Sequence, residues 1–143
     1  MTMSAAQTLT PLPHALPHCP NSRIALFALR RIGAHGLYDA HAAHAFFSAF
    51  GERFPRPLML LRTLMADMAT SAAGPIAIAP CCCARMTHAE QALTTVLARA
   101  ETAPEAARLL LADLLGTRQV DGVMASAMAV AGAFADEGRP IAA

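Results

Sequence analysis

Apolar positions recur at helical spacing along most of this chain. Leu58, Leu61, Leu64, Met65 and Met68 follow one another at intervals of three and four, with Arg62, Thr63, Asp67 and Thr70 opposite, which predicts an amphipathic helix with Pro57 in its first turn. Its methionines sit where gap-filling core residues belong. Ala89, Ala92, Leu93, Val96, Leu97 and Ala100 trace a second stripe, opened by Thr87 with Glu90 three residues later, the signature of a capping box. Thr102 and Glu105 repeat that signature before AARLLLADLLG, with Gly116 as the stop. Asp121 is placed to cap a last helix, GVMASAMAVAGAFADEG, whose small residues allow close approach and predict a central position.

Two further helices are expected upstream. The first runs from an Asn21 or Ser22 cap through IALFALRRI to Gly33 and is apolar nearly all round except for Arg23 and Arg30, so it belongs mostly inside. The second spans Leu37 to Phe50, turns Phe46, Phe47 and Phe50 towards a core, and is closed by Gly51. Between the third and fourth helices, PIAIAP is too short and too proline-bounded for a helix and is expected to be extended. Residues 1–20, with prolines at 11, 13, 17 and 20, read as a flexible arm, residues 21–138 as the helical domain and residues 139–143 as a tail. There is no repeat and no glycine-rich loop after a strand, so the expected fold is all-α: a single-domain irregular bundle of five to six helices with one short extended segment before the cysteine run.

Composition narrows the classes of function. At 143 residues one domain is expected. Charged residues make up 15%, against about 25% in typical soluble domains, and much of the apolar excess is helix-favouring alanine. All 11 basic residues are arginine and 10 acids nearly cancel them, leaving a net charge of +1. That balance argues against nucleic-acid binding through Arg23, Arg30, Arg31, Arg53 and Arg56. Arginine without lysine fits genomic base composition and a bacterial origin. The N-terminus lacks the basic region of an export signal. No apolar run reaches the ~20 residues of a membrane span. Four cysteines, three of them adjacent, do not make a disulfide framework, so a cytoplasmic setting is expected.

Chemical interest concentrates on PCCCARMTHAE. In an extended segment Cys81 and Cys83 share one side and Cys82 faces the other. Cys83 lies just before a helix start, with Arg85 nearby as a thiol-activating charge, and both favour a thiolate for reactivity or metal ligation. The opposing reading is burial of the run as small apolar filling. In AHGLYDAHAAHAFF, His41 and His44 stand three apart on one helix side with Ser48 next along, while Asp39 points elsewhere. A cysteine pair meeting this histidine pair makes a tetrahedral set for zinc or another thiophilic metal, so the candidate metal ligands are Cys81, Cys82, Cys83, His41 and His44. His88, beside a helix cap, is expected in solvent, and His14, His18 and Cys19 in the arm are given no site. The types for nucleophilic catalysis exist in Cys83, His41 or His44 and Asp39, but no oxyanion loop accompanies them. Catalysis is therefore not expected.

The segments LRRIGAHGLYDAHAAHAFF, RPL and PIAIAPCCCARMT, followed by an alanine-rich helical tail, resemble an uncharacterised bacterial family of unknown function over roughly residues 22–140. The cysteine run followed by RMT is the most specific element. The resemblance implies a small bacterial intracellular protein and transfers no catalytic residue. Two functions stand side by side: a thiol site for metal binding or redox sensing, and a noncatalytic helical adaptor or homo-oligomer with a protein partner and the cysteines as core filling.

Overall fold

The computed structural model describes residues 12–142. Among them are six helices, α1 (Pro20–His35), α2 (Ala40–Phe50), α3 (Pro55–Ser71), α4 (His88–Arg99), α5 (Pro104–Leu115) and α6 (Asp121–Asp136), and two short strands, β1 (His14–Ala15) and β2 (Arg85–Met86). The all-helical bundle read from the sequence is the fold of the chain. α6 packs chiefly on α3 and also on α4, α4 pairs with α5, and α1 bridges α2, α3 and α4. The core runs through all six helices and includes Phe46, Leu61, Leu64, Val96, Leu111, Val130 and Phe134. Every α3 position in the predicted stripe is buried.

Element ends follow local chemistry. α4 is opened by the complete capping box, with the Thr87 side chain accepting from the Glu90 N–H and the Glu90 side chain accepting from the Thr87 N–H. The same box does not form at Thr102 and Glu105. Ala103 is the cap residue there, without a side-chain bond, because Pro104 takes the first helical position that suits a residue lacking an N–H. Asp121 is likewise the first residue of α6 rather than its cap, and its carboxylate pairs with Arg108.

α1 passes through Gly33 and ends at Gly36, where φ is 107°. Asn21 and Ser22 do not cap it, because their side chains are tied to the far end of the chain: Asn21 Nδ2 donates to the Pro140 carbonyl at 3.0 Å and Ser22 Oγ to that of Ala142 at 2.7 Å. α2 starts three residues later than expected, at Ala40, because the Asp39 carboxylate caps it by accepting from the Ala42 N–H at 3.0 Å. α3 starts at Pro55, which places Pro57 in its first turn as read. Phe47 is 51% exposed, outside the core expected for it.

The expected arm lies outside the described residues up to position 11. From Leu12 onward it is attached: β1 pairs antiparallel with β2, His14 opposite Met86 and Ala15 opposite Arg85. The tail is attached too. Arg139 Nε donates to the Ala49 carbonyl at 2.8 Å, and Ile141 is buried.

Candidate functional site

The cysteine run is positioned from beneath by a buried ion pair. Arg30 on α1 and Glu90 on α4 are only 2% and 1% exposed. Arg30 Nε donates to Glu90 Oε2 at 2.8 Å and Nη2 to Oε1 at 3.0 Å, the two-pronged geometry that suits guanidinium and carboxylate. Charges this deep require their remaining hydrogen-bonding capacity to be used. Arg30 spends two of its other three donors on the carbonyls of Cys83 (2.9 Å) and Arg85 (2.7 Å). Glu90 accepts from the N–H groups of Ala79 (3.0 Å) and Thr87 (2.9 Å). Thr87 Oγ1 adds a bond to the Ala77 carbonyl at 2.9 Å. Residues 77–87 are thereby fixed at five backbone points, with Ile76 and Ile78 buried as alternate side chains of the segment expected to be extended.

On this clamp the chain makes a turn, closed by the Cys83 N–H donating to the Pro80 carbonyl at 3.0 Å. Cys81 and Cys82 are exposed at its tip and Cys83 is half-buried. The reading of the run as core filling is therefore corrected: the clamp holds the backbone inside and turns the thiols outward. Arg85 is directed at the arm, donating to the carbonyls of Leu12 (2.6 Å) and Pro13 (3.0 Å).

The cation beside the run is Arg31. Its Nε and Nη2 donate to the two Asp39 oxygens at 3.0 and 2.9 Å, and the Cys81 sulfur lies next to the same guanidinium. The Asp39 bond, joined by Cys81 and opposed by burial, raises the Arg31 pKa above its ordinary value. Asp39 moves the other way, to about 2, chiefly through the Arg31 bond; burial opposes this, and the Ala42 N–H and the charges of Arg31 and His41 add to it. A carboxylate with a depressed folded-state pKa stabilises the protein above its unfolded value near pH 4, and that stability is lost as pH falls towards about 2. Asp39→Asn keeps a cap but removes the charge. Its melting temperature is expected to fall less than that of the parent between pH 5 and pH 2, and parallel curves would contradict the coupling.

His41 and His44 are both exposed on α2. Among the described residues no group of three or more His, Cys, Asp and Glu side chains converges as metal ligands, so the expected histidine–cysteine set is not brought together. Arg31 stands between Cys81 and the start of α2.

Cys19, given no role from the sequence, is the cap residue of α1. Burial acts to raise its pKa, but hydrogen bonds from the Ser22 and Ala142 backbones, the Ser22 side chain and the Asn21 backbone outweigh it, and the net direction is down. A cysteine immediately before a proline at a helix start, as in CPNS, is the signal that could have revealed it.

The five arginines weighed for nucleic acid each have a partner within the chain. Arg30, Arg31, Arg53 and Arg56 pair with Glu90, Asp39, Glu137 and Asp136, and Arg23 donates to the Pro17 carbonyl. Among the described residues no helix is long and apolar enough to cross a membrane.

No curated protein and no solved structure matches the chain. A family model does match, over residues 1–108, from the arm through α4 and its cysteine turn into α5. The chain belongs to that family, described as a family of unknown function (DUF6628).

Proposed function

We propose that the Pro80–Cys83 turn is a redox-sensing thiol site, with Cys81 as the reacting sulfur. The observation that carries this reading is the placement of an exposed Cys81 beside the Arg31 guanidinium, on a backbone fixed by Arg30 and Glu90. A positive neighbour compensates the charge of an attacking thiolate. The same positive charge opposes a metal cation, so redox chemistry is favoured over ligation at this sulfur.

The reaction is oxidation by a hydroperoxide. The Cys81 thiolate attacks the distal peroxide oxygen, an S–O bond forms as the O–O bond breaks, sulfur loses two electrons, and the departing oxygen leaves as hydroxide or alkoxide and takes a proton. The resulting sulfenic acid condenses with a second thiol to a disulfide and releases water. A reducing compartment such as the bacterial cytoplasm returns the disulfide to thiols.

Brief treatment of the full chain with hydrogen peroxide, followed by trapping of sulfenic acid and mass-spectrometric mapping, tests the reading. Cys81 is expected to be modified first. Arg31→Gln is expected to slow that modification about fivefold, the factor one unit charge supplies at contact distance in water, while the rate at Cys19 stays unchanged. Equal oxidation of Cys81 and Cys82, insensitive to Arg31, would overturn it.

A further inference from the structure

The segment from Leu12 to Cys19 lies against β2 and the start of α4 as a strap fastened by few bonds. β1 pairs with β2, His14 opposite Met86 and Ala15 opposite Arg85, and the Arg85 guanidinium donates to the Leu12 and Pro13 carbonyls. Arg23 holds the α1 end through the Pro17 carbonyl. A further hold is a direct ring-to-ring hydrogen bond between His14 Nε2 and His88 Nδ1 at 3.4 Å, with ring centroids 5.6 Å apart.

Of these bonds only the imidazole pair changes charge between about pH 5 and 8. One ring must offer a bare nitrogen to the other's N–H, so the bond survives when one ring is charged and is lost when both are. Two charged rings set N–H against N–H and cation beside cation. The surroundings do not offset this. Arg85 adjoins the pair from β2, and Arg99 of α4 and His18 of the strap share with His14 a hollow of about 310 Å³. Asp113 of α5, an exposed carboxylate, shares with His88 a second hollow of about 450 Å³. Glu90, also on α4, is buried and paired with Arg30. Among the described residues, positive groups therefore outnumber available carboxylates around the pair.

We infer that the His14–His88 contact is a pH-sensitive catch that holds the strap on β2 and α4 at neutral pH and releases it when both rings are protonated in mildly acidic surroundings. Histidine pairs act as switches in this way because the protons themselves supply the repulsion. Release takes β1 from the β2 edge. It also removes Leu12 and Pro13 from the wall of one hollow and His14, Ala15 and Pro17 from the wall of the other.

Thermolysin cleavage within residues 12–19 of the full chain, divided by cleavage of a free peptide of the same residues at each pH, reads the released fraction. Loss of one hydrogen bond together with one water-screened repulsion is expected to raise this ratio about tenfold between about pH 7.5 and about pH 5. His14→Gln and His88→Gln each leave a single imidazole at the catch, and in both the ratio is expected to change less than about twofold over the same range. Arg85→Gln, which removes a hold that does not titrate there, is expected to raise the ratio at both pH values and to keep the pH dependence. A parent ratio independent of pH, or a rise that persists in either histidine variant, would overturn the inference.

Discussion

Replacing Glu90 by alanine is expected to destabilise the protein by about 3 to 5 kcal/mol, the usual cost of removing one partner from a buried ion pair. The change strips the Arg30 guanidinium of both carboxylate contacts at a site 2% exposed. It also orphans the N–H groups of Ala79 and Thr87, each of which donates a hydrogen bond to Glu90, and removes one arm of the α4 capping box. Against a total stability of about 5 to 15 kcal/mol for an ordinary domain, such a loss leaves the fold marginal. Glu90→Gln, which retains an acceptor oxygen without the charge, is expected to fall between the parent and Glu90→Ala, and stays measurable where the alanine variant does not fold. Urea unfolding of the three proteins checks this. A loss below about 1 kcal/mol for Glu90→Ala, in the range of a surface pair, would show that the clamp does not support residues 77–87.

Phe134→Ala is expected to cost a similar amount, about 3 to 5 kcal/mol. Its ring is fully buried and meets Phe50 edge-on at 5.0 Å and Phe46 at 5.7 Å, so truncation leaves a cavity and removes two aromatic pairings together. The prediction bears on how the chain is organised. The family match ends at residue 108, yet α6 supplies Val130 and Phe134 to the same core as α2 and α3. Leu109→Ala, at a leucine 73% exposed, is the control and is expected to change stability by less than about 0.5 kcal/mol. A single cooperative unfolding transition with a large loss only for Phe134→Ala is the expected result. Two transitions, one unaffected by Phe134→Ala, would mean that α6 is not part of the core unit.

The periodic elements were legible because their signals are local. The α3 stripe and the α4 capping box depend on neighbours three and four residues apart, and both stand in the structure as read. Arg23 and Arg30 show where that reasoning ends. They lie seven apart on one helix and look equivalent in sequence, but Arg23 is exposed while residues 77–87 close over Arg30. Its partner Glu90 is 60 residues away, so half of the acid's role, capping α4, was visible and the other half was not. The alternative reading of the cysteines as filling fails for a related reason. Average burial of the residue type favours the interior, but backbone hydrogen bonds to Arg30 and Glu90 decide which way this segment faces. The two-residue strand β1 carries no period to detect, and its attachment through Arg85 rests on main-chain carbonyls that any sequence would offer.

The claim that Arg31 makes Cys81 the reactive sulfur is tested most directly by the alkylation rate of each cysteine at neutral pH, resolved by mass spectrometry in the parent and in Arg31→Gln. Cys81 is expected to react faster than its neighbour Cys82, which is exposed as well, and that advantage is expected to disappear in Arg31→Gln while Cys19 reacts as before. Equal rates at Cys81 and Cys82 in the parent, or a Cys81 advantage that survives the loss of Arg31, would contradict the account.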